Sequence, residues 1–384
     1  MNSFSFTTTK TLINGPGSLN TLASHCHQLG IQRPLVVTDQ GIVTAGLLDQ
    51  LEAVLAGNGL ACAVYPDVVA DPPETIVYAA LEAAKSYNAD GVIGFGGGSS
   101  MDTAKLIALL ARSGEPLSDI YGVDQVKGQR LPLILIPTTA GTGSEVTAVA
   151  IITTGETTKA GVVSSVLLPD IALLDAELTL GLPPQVTAAT GIDAMVHAIE
   201  AYTSAHKKNP YSDMLAKEAL RLIGTNLLTT VNDGRNLAAR QNMLLGACLA
   251  GQAFANAPVA AVHALAYPLG GHFHIPHGLS NSLVLPHVLR FNATAAASLY
   301  AELCDVLLPN NSHYSDQNKT AALIDYLEAL IAAAGLPSRL QDAGVTEASL
   351  PTLAADAMLQ QRLLINNPRT VNESDALTIY QAAY

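Results

Sequence analysis

The sequence predicts an α/β domain followed by a domain built from helices alone. In the first half, short runs of apolar and β-branched residues alternate with helical stretches, which is typical of a parallel sheet covered on both faces. After the proline pair at residues 183–184, the segments are rich in Ala and Leu at helical spacing and show no convincing strand pattern. We therefore predict an α/β domain at residues 1–182 and an all-helical domain at residues 183–384.

The elements of the first half follow one another in a regular order. The predicted strands are residues 35–38, 61–65, 91–95 and 133–136. The predicted helices between them are residues 47–55, 74–87 and 99–111. Short apolar strands that alternate with helices of this length favour βαβ units over hairpins.

Composition limits the classes of function. Hydrophobic residues make up 49% of the 384 residues and charged residues only 13%, so a large interior is possible and disorder is not expected. The formal charge of -13 disfavours nucleic acid as a partner. The uncharged stretch between Arg240 and Arg290 is interrupted by polar and proline residues, which indicates buried helices and no membrane contact. Four widely spaced cysteines and the lack of a signal peptide favour the cytoplasm.

A glycine-rich loop follows the predicted strand at residues 91–95. Residues 96–99 read Gly-Gly-Gly-Ser, and a helix comes next. Glycines let the backbone approach a phosphate, and the start of a helix offers free N–H groups. A plain strand-to-helix turn also favours these residues, but three glycines exceed its needs, so we predict a pyrophosphate-binding loop. The final glycine of the Rossmann fingerprint is missing, because Ser99 stands at that position.

Two further features could contact a dinucleotide. Residues 137–145 form a loop of small and hydroxyl-bearing residues directly after a strand, suited to a ribose or a nicotinamide. Asp39 ends the first predicted strand, where a carboxylate can accept hydrogen bonds from a ribose 2′-hydroxyl. An aspartate that caps the turn before Gly41 explains the same pattern equally well.

A cluster of metal-binding side chains lies in the helical half. Asp193 and His197 are four residues apart, so both project from one helix face. His263 and three histidines within residues 272–277 follow in an apolar region. One carboxylate with imidazoles and no thiolate suits Fe²⁺, Zn²⁺, Mn²⁺ or Ni²⁺. Spacing leaves open which histidine of residues 272–277 binds, and also whether Glu200 binds or makes an ordinary hydrogen bond.

Taken together, these motifs resemble the iron-containing (group III) alcohol dehydrogenases over nearly the whole chain. The resemblance is carried by residues 96–102, 137–145, 190–200 and 263–278. It implies the fold shared by dehydroquinate synthase and glycerol dehydrogenase, with NAD as cofactor. It also implies a metal, Fe²⁺ in the first place and Zn²⁺ or another divalent ion as the alternative, and a homodimer or larger assembly.

The resemblance also implies a role for individual residues. The implied metal ligands are Asp193, His197, His263 and His277. The implied cofactor-binding residues are Asp39, Asp71, Gly97, Gly98, Ser99, Asp102, Thr138, Thr139 and Lys159. Among these, Asp39 matches the position associated with NAD preference, and Asp71 stands where several members have Asn. Tyr267 replaces a histidine that many members carry four residues after the third ligand. It is the candidate catalytic residue, as a proton relay or as a wall of the pocket.

The expected activity is hydride transfer between NAD⁺ and a small primary or secondary alcohol, giving an aldehyde or a ketone. A metal-dependent lyase of the dehydroquinate synthase type is one alternative, but it would need basic residues for an anionic substrate, and residues 259–271 contain none. A metal-free reductase of the maleylacetate type is another, which the complete set of Asp and His ligands disfavours. A binding protein without activity would have no reason to keep the ligands and the glycine loop together.

Overall fold

The computed structural model describes residues 3–155, 158–311 and 313–384, which divide into two compact units. The α/β unit comprises Thr7–Thr139 and Gly143–Gly181. The helical unit comprises Leu182–Tyr384 with Ala140–Thr142 and the N-terminal residues as far as Phe6. The predicted fold class, an α/β part followed by an all-helical part, is confirmed.

The α/β unit contains nine strands and five α-helices within the described residues. Its strands are β1 (Thr11–Asn14), β2 (Pro34–Asp39), β3 (Ala63–Val68), β4 (Gly91–Gly96), β5 (Gly122–Val123), β6 (Leu133–Pro137), β7 (Val149–Thr154), β8 (Thr158–Val163) and β9 (Ile171–Leu174). Its helices are α1 (Leu22–Gln28), α2 (Gln40–Thr44), α3 (Leu47–Gly57), α4 (Glu74–Tyr87) and α5 (Gly98–Ser113).

Six strands form a parallel sheet in the order β1-β9-β6-β4-β2-β3. The four strands predicted from the sequence correspond to β2, β3, β4 and β6, which are neighbours in this sheet. The sequence analysis did not predict β1 or β9. It also missed a smaller sheet in the order β5-β8-β7, in which β7 and β8 are antiparallel.

Both faces of the six-stranded sheet are buried, because side chains alternate along each strand. Along β4, Val92 packs in one apolar cluster with residues of α4 and α5, whereas Ile93 and Phe95 pack in a second cluster with residues of α1 and α3. The near-continuous apolar sequence of these strands follows from this double coverage. Since all six strands run in parallel, the carboxyl ends of β2, β3, β4 and β6 meet at one edge of the sheet.

The helical unit consists, in its described residues, of helices and connecting segments. Its α-helices are α6 (Pro184–Thr203), α7 (Pro210–Asn232), α8 (Leu237–Asn256), α9 (Ala261–Phe273), α10 (His277–Leu307), α11 (Asp316–Ala333), α12 (Leu350–Ala357), α13 (Gln361–Leu364) and α14 (Glu373–Ala383). α6 begins with a proline, which is well placed in a first turn because its missing N–H would have no partner there. Most of α6 is buried. Of the described helices, none by itself is long and apolar enough to cross a membrane. α8 and α9, bent by 106° at their junction, meet that length and composition test only as a pair.

A buried lysine ties α5 to the segment that leads into β7. The Nζ atom of Lys105 donates to Asp102 Oδ1 (3.2 Å), Ser144 Oγ (2.8 Å), Thr147 Oγ1 (3.1 Å) and the carbonyl oxygen of Val149 (2.7 Å). Burial lowers the pKa of the Lys105 ammonium, whereas the nearby Asp102 carboxylate raises it. We call these five residues the Lys105 clamp. It fixes the helix that carries the glycine-rich loop.

A second charged contact holds the starts of β6 and β9 together. Arg130 donates to Asp170 Oδ2 (2.6 Å) and to the carbonyl oxygen of Leu168 (2.6 Å), and Lys10 donates to Asp170 Oδ1 (2.6 Å). Asp170 Oδ2 also accepts from the backbone N–H of Leu133 (3.1 Å). Burial raises the pKa of Asp170, but these donors outweigh it and hold the pKa at about 2.

We predict that Asp170→Asn lowers the free energy of unfolding of the α/β unit by about 2 kcal/mol at pH 7, because Arg130 loses its charged acceptor. A carboxyl with a lowered pKa stabilises the fold above its unfolded pKa of about 4 and stops doing so as the pH falls through its folded pKa of about 2. The difference in free energy of unfolding between Asp170→Asn and the unaltered protein should therefore narrow as the pH falls from about 4 to about 2. Urea unfolding at several pH values measures this difference.

The matched control is Lys10→Gln, which removes the other cation from Asp170. The Lys10 side chain is 75% exposed, so its loss should change stability by about 0.5 kcal/mol or less. Equal losses of unfolding free energy in Asp170→Asn and Lys10→Gln would show that the ion pair with Arg130 does not stabilise the fold more than the one with Lys10.

Candidate metal centre and cofactor-binding loops

Three helices of the helical unit bring four ligand side chains to one point. α6 supplies Asp193 and His197, which lie four residues apart on one face. α9 supplies His263, and α10 begins with His277. One ligand atom from each of these residues lies within 4.8 Å of the others. The four side chains are the four metal ligands predicted from the sequence.

The four side chains differ in their exposure to solvent. Asp193, His197 and His263 are buried, whereas the His277 side chain is 34% exposed. The Nε2 atoms of His263 and His277 lie 3.8 Å and 3.6 Å from Asp193 Oδ1. Three of the four ligand side chains are therefore shielded from solvent, and His277 is the one that solvent reaches.

The protonation states of this group suit a divalent metal. Burial lowers the pKa of His197 to about 3, so its imidazole is neutral at neutral pH. Burial raises the pKa of Asp193, but the three histidines and the amide of Asn281 lower it more, and the carboxyl is ionised. A neutral imidazole at His197 and an ionised carboxylate at Asp193 are the forms that bind a metal without first releasing protons.

Asn281 shows that the lone pairs of the ligands converge. Its Nδ2 atom lies 2.6 Å from Asp193 Oδ1 and 3.3 Å from the Nε2 atoms of both His263 and His277. The three ligand atoms therefore lie around one point, although the amide has only two N–H groups to donate to them. Three nitrogen donors and one oxygen donor around a common point fit a divalent ion such as Fe²⁺ or Zn²⁺. Sequence reasoning missed Asn281, although its spacing of four residues from His277 is the signal that places both on one helix face.

A glycine allows the first turn of α10 to approach α6. A Cβ atom on Gly278 would lie 2.5 Å from the carbonyl oxygen of Ala189, a distance that real Cβ atoms do not adopt. Only glycine leaves room for this backbone contact. The contact brings the neighbouring residue, His277, to the ligands on α6.

Other residues surround the four ligands. Glu200 Oε2 accepts from Nδ1 of His263 (2.7 Å), which is the hydrogen-bonding role expected for it. Phe254 stacks on the ring of His197 with centroids 4.3 Å apart, a contact that the sequence did not suggest. The Tyr267 ring lies 6.0 Å from the His277 ring. His272 bonds to a surface carboxylate outside the cluster, so among residues 272–277 the clustered histidine is His277.

The glycine-rich loop lies at the carboxyl end of β4 in the α/β unit. Gly96 has a φ of +147°, and a Cβ atom there would come within 3.0 Å of both Ser100 and Asp39. α5 then begins at Gly98, and within the described residues no side chain caps its first turn. Its first N–H groups are therefore available to an anion.

The loop after β6 lies against the glycine-rich loop. The backbone N–H of Thr138 donates to the carbonyl oxygen of Gly96 (3.0 Å). Thr139 is the nearest residue to Gly97, with its Oγ1 3.7 Å from where a Cβ atom would stand. The structure thus brings together the predicted cofactor residues of these two loops, which are Gly97, Gly98, Ser99, Thr138 and Thr139.

Asp39 lies beside the same loop and also caps a helix. Its Oδ1 atom accepts from the backbone N–H groups of Gly41 (3.0 Å) and Ile42 (3.2 Å) at the start of α2. Its Oδ2 atom accepts from Ser100 Oγ (3.0 Å) in the first turn of α5. The capping role and the location near a dinucleotide loop, which the sequence left as alternatives, are compatible.

The remaining predicted cofactor residues form two separate contacts. Asp71, which has a positive φ of 50°, makes an ion pair with Lys159 near the end of β3. Asp102 belongs to the Lys105 clamp, where it also accepts from Ser144 Oγ (2.6 Å) and the backbone N–H of Ile151 (2.9 Å). Both carboxylate oxygens of Asp102 are therefore occupied by protein donors.

Comparison with known families covers almost the entire chain. The profile described as "Iron-containing alcohol dehydrogenase" matches residues 9–176. The profile described as "Fe-containing alcohol dehydrogenase family, C-terminal" matches residues 187–384.

Individual proteins are also similar over nearly their whole length. Long-chain-alcohol dehydrogenase 1 of Geobacillus thermodenitrificans is 43% identical over 373 residues, covering 96% of this chain and 94% of that protein. A crystal structure of 1,3-propanediol oxidoreductase superposes with a TM-score of 0.96 at 34% identity, covering 100% of both chains. A sulfoacetaldehyde reductase from Bifidobacterium kashiwanohense, solved in complex with NAD⁺, superposes with a TM-score of 0.88 at 28% identity, covering 100% of this chain and 99% of that one.

Proposed function

The chain belongs to the iron-containing alcohol dehydrogenase family, and from this premise we propose how its own residues carry out metal- and NAD-dependent alcohol oxidation. The enzyme transfers a hydride between a small primary or secondary alcohol and NAD⁺, in either direction. The observation that carries the proposal is the convergence of Asp193, His197, His263 and His277 at one buried point. We assign these residues as the metal ligands, and we propose Fe²⁺ as the ion because the matching family is the iron-containing one.

The ion, when bound, supplies a Lewis acid for the substrate oxygen. The protein holds that ion in a site with little solvent. Asp193, His197 and His263 exclude water on three sides, and Phe254 covers the outer face of the His197 ring. The partly exposed His277 marks the direction from which a small alcohol enters.

The cofactor is held by the loops of the α/β unit. We propose that Gly97, Gly98 and Ser99 bind the pyrophosphate through backbone N–H groups, because α5 begins there without a side-chain cap. Thr138 and Thr139 line the same loop. We propose that Asp71, which follows β3, and its ion-pair partner Lys159 on β8 also contact the cofactor. Asp102 acts indirectly in this proposal. Its carboxylate belongs to the Lys105 clamp, which fixes the helix that carries the glycine-rich loop.

The substrate is a neutral small molecule in this proposal. Residues 241–289 include two of the four ligands together with Tyr267, and they contain no lysine or arginine to hold an anion. The dehydroquinate synthase type of lyase is disfavoured for that reason. The metal-free maleylacetate type of reductase is disfavoured because the ligand set is complete and converges.

We also propose a homodimer or larger assembly in the cytoplasm. β1 is the last strand of the six-stranded sheet, and such an edge offers unpaired backbone groups to a second chain. The four cysteines are all free and lie within described residues, as is typical of a reducing compartment.

The metal assignment is tested by Asp193→Ala and by His263→Ala. Each should remove bound metal and lower kcat/KM by at least about 100-fold, because loss of a direct ligand exceeds the effect of losing its supporting contacts. Circular dichroism should show a folded protein, and elemental analysis under anaerobic conditions measures the metal. His272→Ala is the matched control, since it removes a histidine outside the cluster and should leave both readouts unchanged. Full activity in a metal-free variant contradicts the assignment.

The position of Asp39 predicts a preference for NAD over NADP, because a carboxylate repels a 2′-phosphate and loses its hydrogen bonds to the free 2′-hydroxyl. Asp39→Gly should improve kcat/KM for NADP more than for NAD. Asp39→Asn is the matched variant, since asparagine also caps helices and keeps α2 intact while removing the charge. Equal kcat/KM for both cofactors in the unaltered enzyme would refute this role.

We assign Tyr267 to the wall of the substrate pocket, because its ring lies beside that of His277 and α9 carries both Tyr267 and His263. Tyr267→Phe should then change kcat by less than about twofold, and Tyr267→Ala should shift activity towards bulkier alcohols. Steady-state kinetics with a series of alcohols of increasing size measures both effects. A proton relay would instead give Tyr267→Phe a lower kcat and an altered pH profile at unchanged metal content.

A further inference from the structure

Glu200 is a second buried carboxylate next to the predicted ligands. It lies on α6, three residues after His197, and its side chain is only 4% exposed. Its Oε2 atom accepts from Nδ1 of His263 (2.7 Å), and its Oε1 atom accepts from the backbone N–H of Val262 (2.7 Å). Glu200 therefore holds both the ring of His263 and the first turn of α9.

Within the part of the chain that the structure describes, no lysine or arginine forms an ion pair with Glu200. Among the described residues, its only ion-pair partner is His263, and residues 241–289 contain no lysine or arginine. Asp193 adds a second buried negative charge near the same imidazole, with Oδ1 3.8 Å from its Nε2 atom. Two buried carboxylates beside one imidazole match the charge of a divalent cation.

The hydrogen bond from His263 to Glu200 also fixes the tautomer of the His263 ring. A carboxylate only accepts, so the proton of the imidazole lies on Nδ1. The lone pair is then on Nε2, which is the atom that faces Asp193 and lies 3.3 Å from the amide of Asn281. The ring is thus held in the orientation and tautomer that a metal ligand needs.

We propose that Glu200 is a positioning residue of the metal centre, which orients His263 and supplies the second negative charge for a divalent ion. This inference rests on the proposed metal-dependent function. It concerns metal affinity and not contact with the substrate, so it can be tested without measuring turnover.

Glu200→Gln is the most informative substitution, because it preserves the shape of the side chain. The glutamine amide has two possible orientations, and neither reproduces both hydrogen bonds of Glu200 with a metal bound. If the amide oxygen faces His263, the amide N–H₂ group meets the N–H of Val262. If the amide N–H₂ group faces His263, the imidazole proton moves to Nε2 and blocks the metal. We expect Glu200→Gln to weaken Zn²⁺ and Fe²⁺ binding by about 10- to 100-fold. The affinity is measured by competition with a chromophoric chelator under anaerobic conditions.

Two further readouts separate positioning from a general structural role. The melting temperature of the metal-free protein and the dissociation constant of NAD should remain close to those of the unaltered enzyme. Glu302→Gln is the matched control, since it makes the same change in the helical unit at a half-exposed residue that pairs with Lys217. It should leave metal affinity unchanged.

Each outcome bears on the proposal. Unchanged metal affinity in a folded Glu200→Gln variant overturns the inference and leaves the proposed function standing. Failure of the unaltered enzyme to bind either ion overturns the proposed function and the inference with it. Should Glu200→Gln not fold, Glu200→Asp replaces it. The shorter carboxylate reaches only one of its two donors, so we expect severalfold weaker binding, and full affinity overturns the inference.

Discussion

Burial of negative charge within an apolar helical unit is the constraint on which the candidate metal centre depends. Asp193 and Glu200 lie on one face of α6 and are both nearly inaccessible to solvent. Carboxylates in such surroundings require donors or a cation. The approach of α9 and α10 to α6 supplies donors, and the close contact at Gly278 makes that approach possible. Packing and metal chemistry therefore impose the same geometry on these three helices.

Much of the fold was predictable because local pattern and tertiary structure agree there. β2, β4 and β6 are buried on both faces, so their sequences are almost wholly apolar and easy to recognise. β1 is a four-residue edge strand with mostly exposed side chains, and β7 is only partly buried, so neither has a distinctive pattern. β1 pairs with β9, a distant part of the chain, and a single sequence does not display such a pairing. β7 pairs with the neighbouring β8, so for β7 the weak burial pattern alone explains the missed strand.

The residues of the candidate sites also fall into two groups, those that local spacing predicts and those that only the folded chain brings together. Residues within one helix, such as Asp193 and His197, were predicted because helical spacing alone places them together. The choice of His277 among neighbouring histidines depends on where α10 begins relative to α6. Spacing left that choice open, and only the family resemblance implied His277. The contact between Glu200 and His263 joins residues 63 positions apart, and nothing local indicates it.

The Lys105 clamp has a consequence for the energetics of the catalytic cycle. A dehydrogenase takes up and releases its dinucleotide at every turnover, so a loop that became ordered on each occasion would lose conformational entropy every time. Here the buried ammonium group of Lys105, on the helix behind the glycine-rich loop, lies within hydrogen-bonding distance of three oxygen atoms of the segment that leads into β7. That entropy is lost once, when the chain folds. Cofactor binding therefore does not have to offset the ordering of that helix at each turnover.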